Sequence, residues 1–320
     1  MFIRAARIAL AAVIATMLIA CGGNEPEPQG GPSGPSGELI VQVASYDIAV
    51  GDEGRVILGL LTPAQLFVSY GTVDVEFFYL GTEEGSGKAQ PGPTTTGTFL
   101  VIPGDTEPEG AAGPIAAPAS RGRGVYATEV AFDRAGFWSA QVTADVEDEG
   151  RLTGNAVFEV LKEHAIPAPG DPALKTDTLT IDSKDAPEAA VDSRAAQGDI
   201  PDPELHQMTI AETIQRGEPA LVVFATPVYC VSRFCGPITD MVADLAKKYD
   251  DRANFIHVEI WRNFEGQVVN KGAADWLLRG QDLSEPWVFL IGADGKVTAR
   301  WDNVATPEEI EPLLKKLPRL

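Results

Sequence analysis

Chemistry in this chain concentrates in three cysteines, because a thiolate can attack, ligate or be acylated, and only Cys21, Cys230 and Cys235 occur among 320 residues. Cys21 closes an apolar run near the start. Cys230 and Cys235 are left to find each other, with Val231-Ser232-Arg233-Phe234 between them. In one regular helix, residues five apart lie about 7.5 Å apart along the axis, with Cα atoms roughly 8 to 9 Å apart. A disulfide needs about 4.4 to 6.8 Å. Bonding therefore requires Cys230 in a loop and Cys235 at or near a helix start. Gly236 and Pro237 favour that start, since proline suits the first helical position, where no amide hydrogen is needed. A thiol there has its thiolate stabilised by unpaired amides and the helix dipole, and Arg233 adds a positive charge nearby. One thiol can then attack a partner disulfide and the other can resolve the mixed intermediate.

The elements that must position this pair follow from patterning. Ala220-Leu221-Val222-Val223-Phe224 reads as a buried strand directly before the thiols. After them, Ile238, Met241, Val242, Leu245 and Tyr249 recur at about 3.6-residue spacing, which predicts a helix over 237–249. Further strands are expected over 254–260, 287–291 and 296–301, with helices over 209–216, 271–278 and 307–317. Residues 205–320 thus alternate as an α/β domain should.

Upstream, residues 38–162 carry seven or so short runs rich in Val, Phe, Tyr and Thr, separated by Gly and Pro, without a helical period. This predicts an all-β sandwich. Alternation of Trp138, Ala140, Val142 and Ala144 with Ser139, Gln141, Thr143 and Asp145 gives one buried and one wet face. Residues 81–123, rich in Gly, Pro and Thr, read as a floppy insertion. The region has neither His nor Cys, so docking or spacing is expected of it rather than catalysis. Residues 163–204 carry prolines and mixed charge and read as a linker.

Residues 1–20 combine Arg4 and Arg7 with an apolar stretch shorter than the roughly 20 residues of a spanning helix, as in a secretory signal. Leu18-Ile19-Ala20-Cys21 resembles the lipobox of bacterial lipoproteins. That resemblance implies cleavage before Cys21 and lipidation of its thiol, hence an extracytoplasmic protein anchored to a membrane, with residues 21–37 as a flexible tether. Residue 22 is Gly rather than Asp, so the usual inner-membrane retention signal is absent. The net charge of -21 and the lack of a Lys/Arg cluster exclude nucleic acid as a partner.

Residues 205–318 resemble thioredoxin-like disulfide oxidoreductases through the cysteine pair between strand and helix, the Cys235-Gly236-Pro237 step, and Glu285-Pro286 before a strand. The resemblance implies a thioredoxin-like α/β fold, catalytic Cys230 and Cys235, a cis-proline role for Pro286, supporting roles for Arg233, Gly236 and Pro237, and protein thiols or disulfides as partners. It implies no cofactor and no metal. The four-residue gap departs from the family's two. Counting from Phe224 favours Cys230 as the attacking thiol, and the Cys-Gly-Pro step favours Cys235. Tyr126 to Val142 resembles the end of an immunoglobulin-like extracytoplasmic module.

Alternatives keep the thiols and change their use. A Sco-like copper chaperone would add His257 or His206, but His257 falls in a predicted strand and reads as a core residue. A non-catalytic lipoprotein would hold the pair as a structural disulfide. A peroxidase would use Ser232 three residues before Cys235, but Glu285-Pro286 stands where its arginine partner belongs. Tyr229 and Phe234 are the aromatics expected to be exposed for a peptide substrate.

Overall fold

The computed structural model describes residues 37–320 apart from 52, 53, 85, 86, 107–112 and 119. The leader, Cys21 and the tether up to residue 36 lie outside the described residues. The described residues form one compact unit. No helix among the described residues is long and apolar enough to cross a membrane.

Ten strands come first: β1 (Gly37–Glu38), β2 (Ile40–Val43), β3 (Gly54–Leu61), β4 (Phe67–Ser69), β5 (Thr72–Gly81), β6 (Gln90–Val101), β7 (Ile115–Ala117), β8 (Gly124–Val130), β9 (Gly136–Val146) and β10 (Gly150–Val160). They do not split into the two sheets of an immunoglobulin-like sandwich. A single curled sheet runs β1-β10-β9-β5-β6-β8-β3-β4-β7, with β2 added beside β3. Alternation in sequence fixes which face of a strand is buried, and the pattern is the same whether strands share one sheet or two. Curling lets one sheet bury its own apolar face: Val56 and Leu58 of β3, Phe77 of β5, Tyr126 of β8, Trp138 of β9 and Leu152 of β10 all meet in one cluster.

Part of the expected insertion is also strand. β6 holds Pro91 and Pro93, which donate no ladder hydrogen bond, and over residues 90–97 it pairs only with β5, so the missing donors face no partner strand. Gly92 is required there, because a Cβ would stand 2.6 Å from the Trp138 ring. Composition hid this strand because its glycines and prolines answer to neighbouring strands.

The remainder comprises α1 (Glu188–Val191), α2 (Ile210–Arg216), β11 (Ala220–Ala225), α3 (Cys235–Tyr249), β12 (Asn254–Glu259), β13 (Trp261–Asn263), β14 (Val268–Val269), α4 (Lys271–Leu277), β15 (Trp287–Ile291), β16 (Val297–Asp302) and α5 (Pro307–Leu314), with 3-10 turns at Ser193–Gln197 and Pro203–His206. β12-β11-β15-β16 form a four-stranded sheet in which only β11 and β12 run parallel. The expectation of an α/β thioredoxin-like fold beside a sandwich is overturned: the chain is mostly β, at 39% strand and 18% helix. The cause is one of proportion: α2, α4 and α5 are only 7, 7 and 8 residues long, and the long strands dominate.

β11 shows why its sequence is an unbroken apolar run. Leu221, Val223 and Ala225 face one core with α3 and α5, while Ala220, Val222 and Phe224 face another with Trp276 and Phe289. Residues 163–204 lie against the small sheet, where the Ala173 amide donates to the Gly295 carbonyl and the Val297 amide donates to the Asp171 carbonyl.

The curled sheet and the small sheet are joined by buried charge. Asp47 accepts from Arg300 Nη1 at 2.7 Å and contacts His164 Nδ1 at 3.1 Å, and its side chain is 4% exposed. Tyr46 donates its hydroxyl to the Glu285 carbonyl at 2.9 Å. Breaking a buried pair by removing one partner leaves the other charge without compensation. Asp47→Ala is therefore expected to lower unfolding stability by about 3 to 5 kcal/mol, read from the urea midpoint. A change within about 0.5 kcal/mol of the unaltered protein would contradict a structural role for this junction.

Candidate functional site

The path from β11 to α3 builds the site. After Ala225 the chain leaves the sheet, Cys230 falls in the connecting turn, and α3 begins at Cys235 itself. Phe234, at the N-cap, offers no side-chain acceptor to the first helical amides. Cys230 Sγ takes that place, accepting from the Cys235 amide at 3.4 Å and lying 3.2 Å from Ser232 Oγ. Arg233 makes the turn possible with a left-handed backbone, φ 63°. Pro237 is the third helical residue, where its missing amide hydrogen is still of no consequence.

Both cysteines are free thiols, and Cys230 Sγ, Cys235 Sγ and a Glu285 carboxylate oxygen all lie within 4.8 Å of one another. Their environments differ sharply. Cys230 is half-buried and Cys235 is fully buried. Donation from the Cys235 thiol, opposed by burial and reinforced by Ser232 and the amides of Cys235 and Phe234, brings the Cys230 thiol down to about 5. Burial, then the contact with Cys230 and its charge, push the Cys235 thiol far above the ordinary range, and the Thr226 amide only partly opposes this. Burial and the nearby Cys230 raise the Glu285 carboxyl to about 7.

The other residues named from sequence divide in two. Pro286 is buried beside Glu285, and the Glu285–Pro286 peptide is cis. Arg233 is exposed and makes no hydrogen bond or ion pair among the described residues, so proximity in sequence does not bring its charge onto a sulfur. Tyr229 and Phe234 are half-buried rather than exposed. Tyr229 stacks on Phe264 at 4.0 Å, and Phe234 packs with Ile57, Ile102, Val125 and Val304. Exposed apolar surface is supplied instead by Val228 and Val231, the latter 94% exposed, on either side of Cys230. An open cleft of about 1190 Å³ runs past Val231, Ser232, Arg233, Glu285 and Tyr46.

No protein-family model, curated protein or solved structure matches this chain. What the site can do must be read from its own chemistry.

Ser232, Glu285 and Tyr46 surround the thiols; sequence reasoning had Ser232 only in the peroxidase alternative and Glu285 only as the residue before Pro286, and did not have Tyr46. Ser232 was visible as the only hydroxyl between the thiols, and Glu285 as the residue before Pro286. Tyr46, 239 positions from the Glu285 carbonyl it bonds, left no local signal. His206 and His257 group with Asp192, not with the thiols.

A thiol lowered to about 5 is ionised throughout the neutral range, so its alkylation should not vary with pH there. Iodoacetamide should label Cys230 at a constant rate from about pH 6.5 to 8, with half-maximal rate near pH 5, while Cys235 stays unlabelled until denaturation. Mass spectrometry of labelled peptides reads both. A midpoint near the ordinary thiol value of about 8.5 would refute the thiolate assignment.

Proposed function

We propose that the protein is a thiol–disulfide oxidoreductase in which Cys230 attacks and Cys235 resolves. The observation that carries this reading is the asymmetry of the pair: a half-exposed, readily ionised sulfur at a helix start, backed by a buried sulfur that holds its proton. A structural bridge needs no such division.

The steps balance as follows. Cys230 thiolate attacks one sulfur of a substrate disulfide, an S–S bond forms between them, and the second substrate sulfur leaves as a thiolate. Cys235 then loses its proton and attacks Cys230 Sγ, releasing the remaining substrate thiol and closing the Cys230–Cys235 disulfide. Two electrons pass to the substrate, and an external dithiol returns them. Glu285 suits the acceptor role for the Cys235 proton, because its carboxyl lies within 4.8 Å of both sulfurs and titrates near 7. Val228 and Val231 beside Cys230, and the cleft beyond, favour a protein or peptide disulfide over a small one. Acylation at Cys21 would tether the enzyme to the outer side of a bacterial membrane, where protein disulfides occur.

A second reading has its own observation. Two thiol sulfurs within 4.8 Å of each other could hold a soft ion such as Cu(I), without the histidine that the Sco-like alternative adds, since His206 and His257 group elsewhere. One set of proteins separates these readings. Cys235→Ser should trap a mixed disulfide at Cys230, visible by mass spectrometry, and lose insulin reduction. Glu285→Gln should keep the first step and slow release from the mixed disulfide about 100-fold or more. Stoichiometric Cu(I) binding without any disulfide turnover would replace the redox reading. A pair potential below about -300 mV would make it a structural bridge.

A further inference from the structure

A second cluster of titratable side chains is one that the thiol chemistry does not use. Asp192, His206 and His257 are each no more than 1% exposed, and one donor atom from each lies within 4.8 Å of the others. His206 comes from the 3-10 turn at Pro203–His206, His257 from β12, and Asp192 from the residue after α1. We propose that these three side chains form a binding site for a zinc-class divalent metal ion, independent of the thiol reaction.

The distances argue first. Asp192 Oδ2 stands 3.3 Å from His257 Nδ1 and 3.4 Å from His206 Nε2. Charge-assisted N–H···O bonds are shorter, about 2.7 to 2.9 Å, and neither contact has hydrogen-bond geometry. Edges of about 3.3 to 3.4 Å are what a tetrahedral ion imposes when its nitrogen and oxygen ligands sit about 2.0 to 2.1 Å away.

Proton placement argues second. His257 Nε2 lies 3.1 Å from the Ala225 carbonyl, which can only accept, so Nε2 carries the hydrogen. Nδ1 faces a carboxylate oxygen, an arrangement that either a proton or a metal ion between them would satisfy, and the separation of 3.3 Å fits the ion. A backbone carbonyl on the distal nitrogen is the usual support of a metal-bound imidazole. His206 has no hydrogen-bond partner at either nitrogen, though it is fully buried. Unpartnered polar groups this deep are rare, and an ion shared with Asp192 would give the Nε2 of this ring a partner.

Arg194 does not close the site. Its guanidinium contacts Asp192 Oδ2 at 2.7 Å, but it is shared with Asp202 and Asp240, so one cation faces three carboxylates. A carboxylate has lone pairs enough for the arginine fork and an ion together. Two imidazoles and one carboxylate suit zinc and its neighbours rather than Cu(I), calcium or magnesium. Bound there, the ion would tie residues 192–206 to β12. Ser193 extends that tie to the thiol turn, its Oγ accepting from the Val228 amide at 3.2 Å.

The test uses the full chain with Cys230→Ser and Cys235→Ser, so that no metal is held by this pair. Loaded with Zn(II) and desalted, it should retain one zinc per chain by elemental mass spectrometry, and melt higher than after chelation. Loaded with Co(II), it should show visible d–d bands without sulfur charge transfer. Nitrogen-detected imidazole spectra should show zinc shifting Nδ1 of His257 and Nε2 of His206, which identifies the ligands without mutating them. His257→Ala in the same background should abolish retention. No retained metal, or retention with both ring nitrogens unshifted, would overturn the proposal.

Discussion

The start of α3 is the constraint on which the rest depends. A helix leaves its first amides unpaired, and this one supplies no side-chain cap from Phe234. A sulfur fills the position, and a sulfur that accepts amide hydrogens is a sulfur stabilised as its anion. The contact that completes the helix therefore also helps to lower the Cys230 thiol, beside the larger donation from the Cys235 thiol. Burying Cys235 one residue inside the helix places the second thiol where burial favours its protonated form. The start of the helix thus sets both thiols in unlike surroundings.

Holding that geometry is the task of parts distant in sequence. Glu285 must stay beside two sulfurs although its charge is disfavoured there, and the chain around it is fixed on both sides. Tyr46 from the curled sheet bonds the Glu285 carbonyl and the Asn303 side chain, while the Asn303 amide returns a hydrogen bond to Ala44. Asp47 and Arg300 anchor the same junction a few residues away. The curled sheet is thereby one wall of the cleft that reaches Ser232 and Arg233. Its role is to form and brace that cleft.

What could be read from sequence was what local periodicity controls. The stripe from Ile238 to Tyr249 marks α3, and the unbroken run from Ala220 marks β11, because each pattern is set by burial within a few residues. Sheet membership was not legible: β9 alternates identically whether β5 lies beside it or across from it. The strand at Gln90–Val101 was hidden because its composition answers to Trp138 and Val73 on neighbouring strands. The cysteine pair announced itself by residue type, but its activation did not. Arg233 is close in sequence yet turned to solvent, whereas the Cys235 thiol first, then Ser232 and two backbone amides, supply the stabilisation. Asp192 lay in a proline-rich stretch that reads as linker, with nothing to connect it to His257.

The four residues between the thiols explain why a wide gap is compatible with close sulfurs. Five residues of regular helix would separate them, so the segment must double back, and it does so at the left-handed Arg233. The excursion sends its residues to different places. Val231 stands almost wholly in solvent beside the Cys230 sulfur, the Ser232 hydroxyl meets that sulfur, and Phe234 inserts among Ile57, Ile102 and Val125. A shorter connection could bring two sulfurs together, but it would have fewer residues with which to reach a second sheet. The length of the gap is therefore tied to the presence of that sheet: the loop that carries Cys230 is clamped at one end by α3 and, through Phe234, by the very surface that faces the cleft.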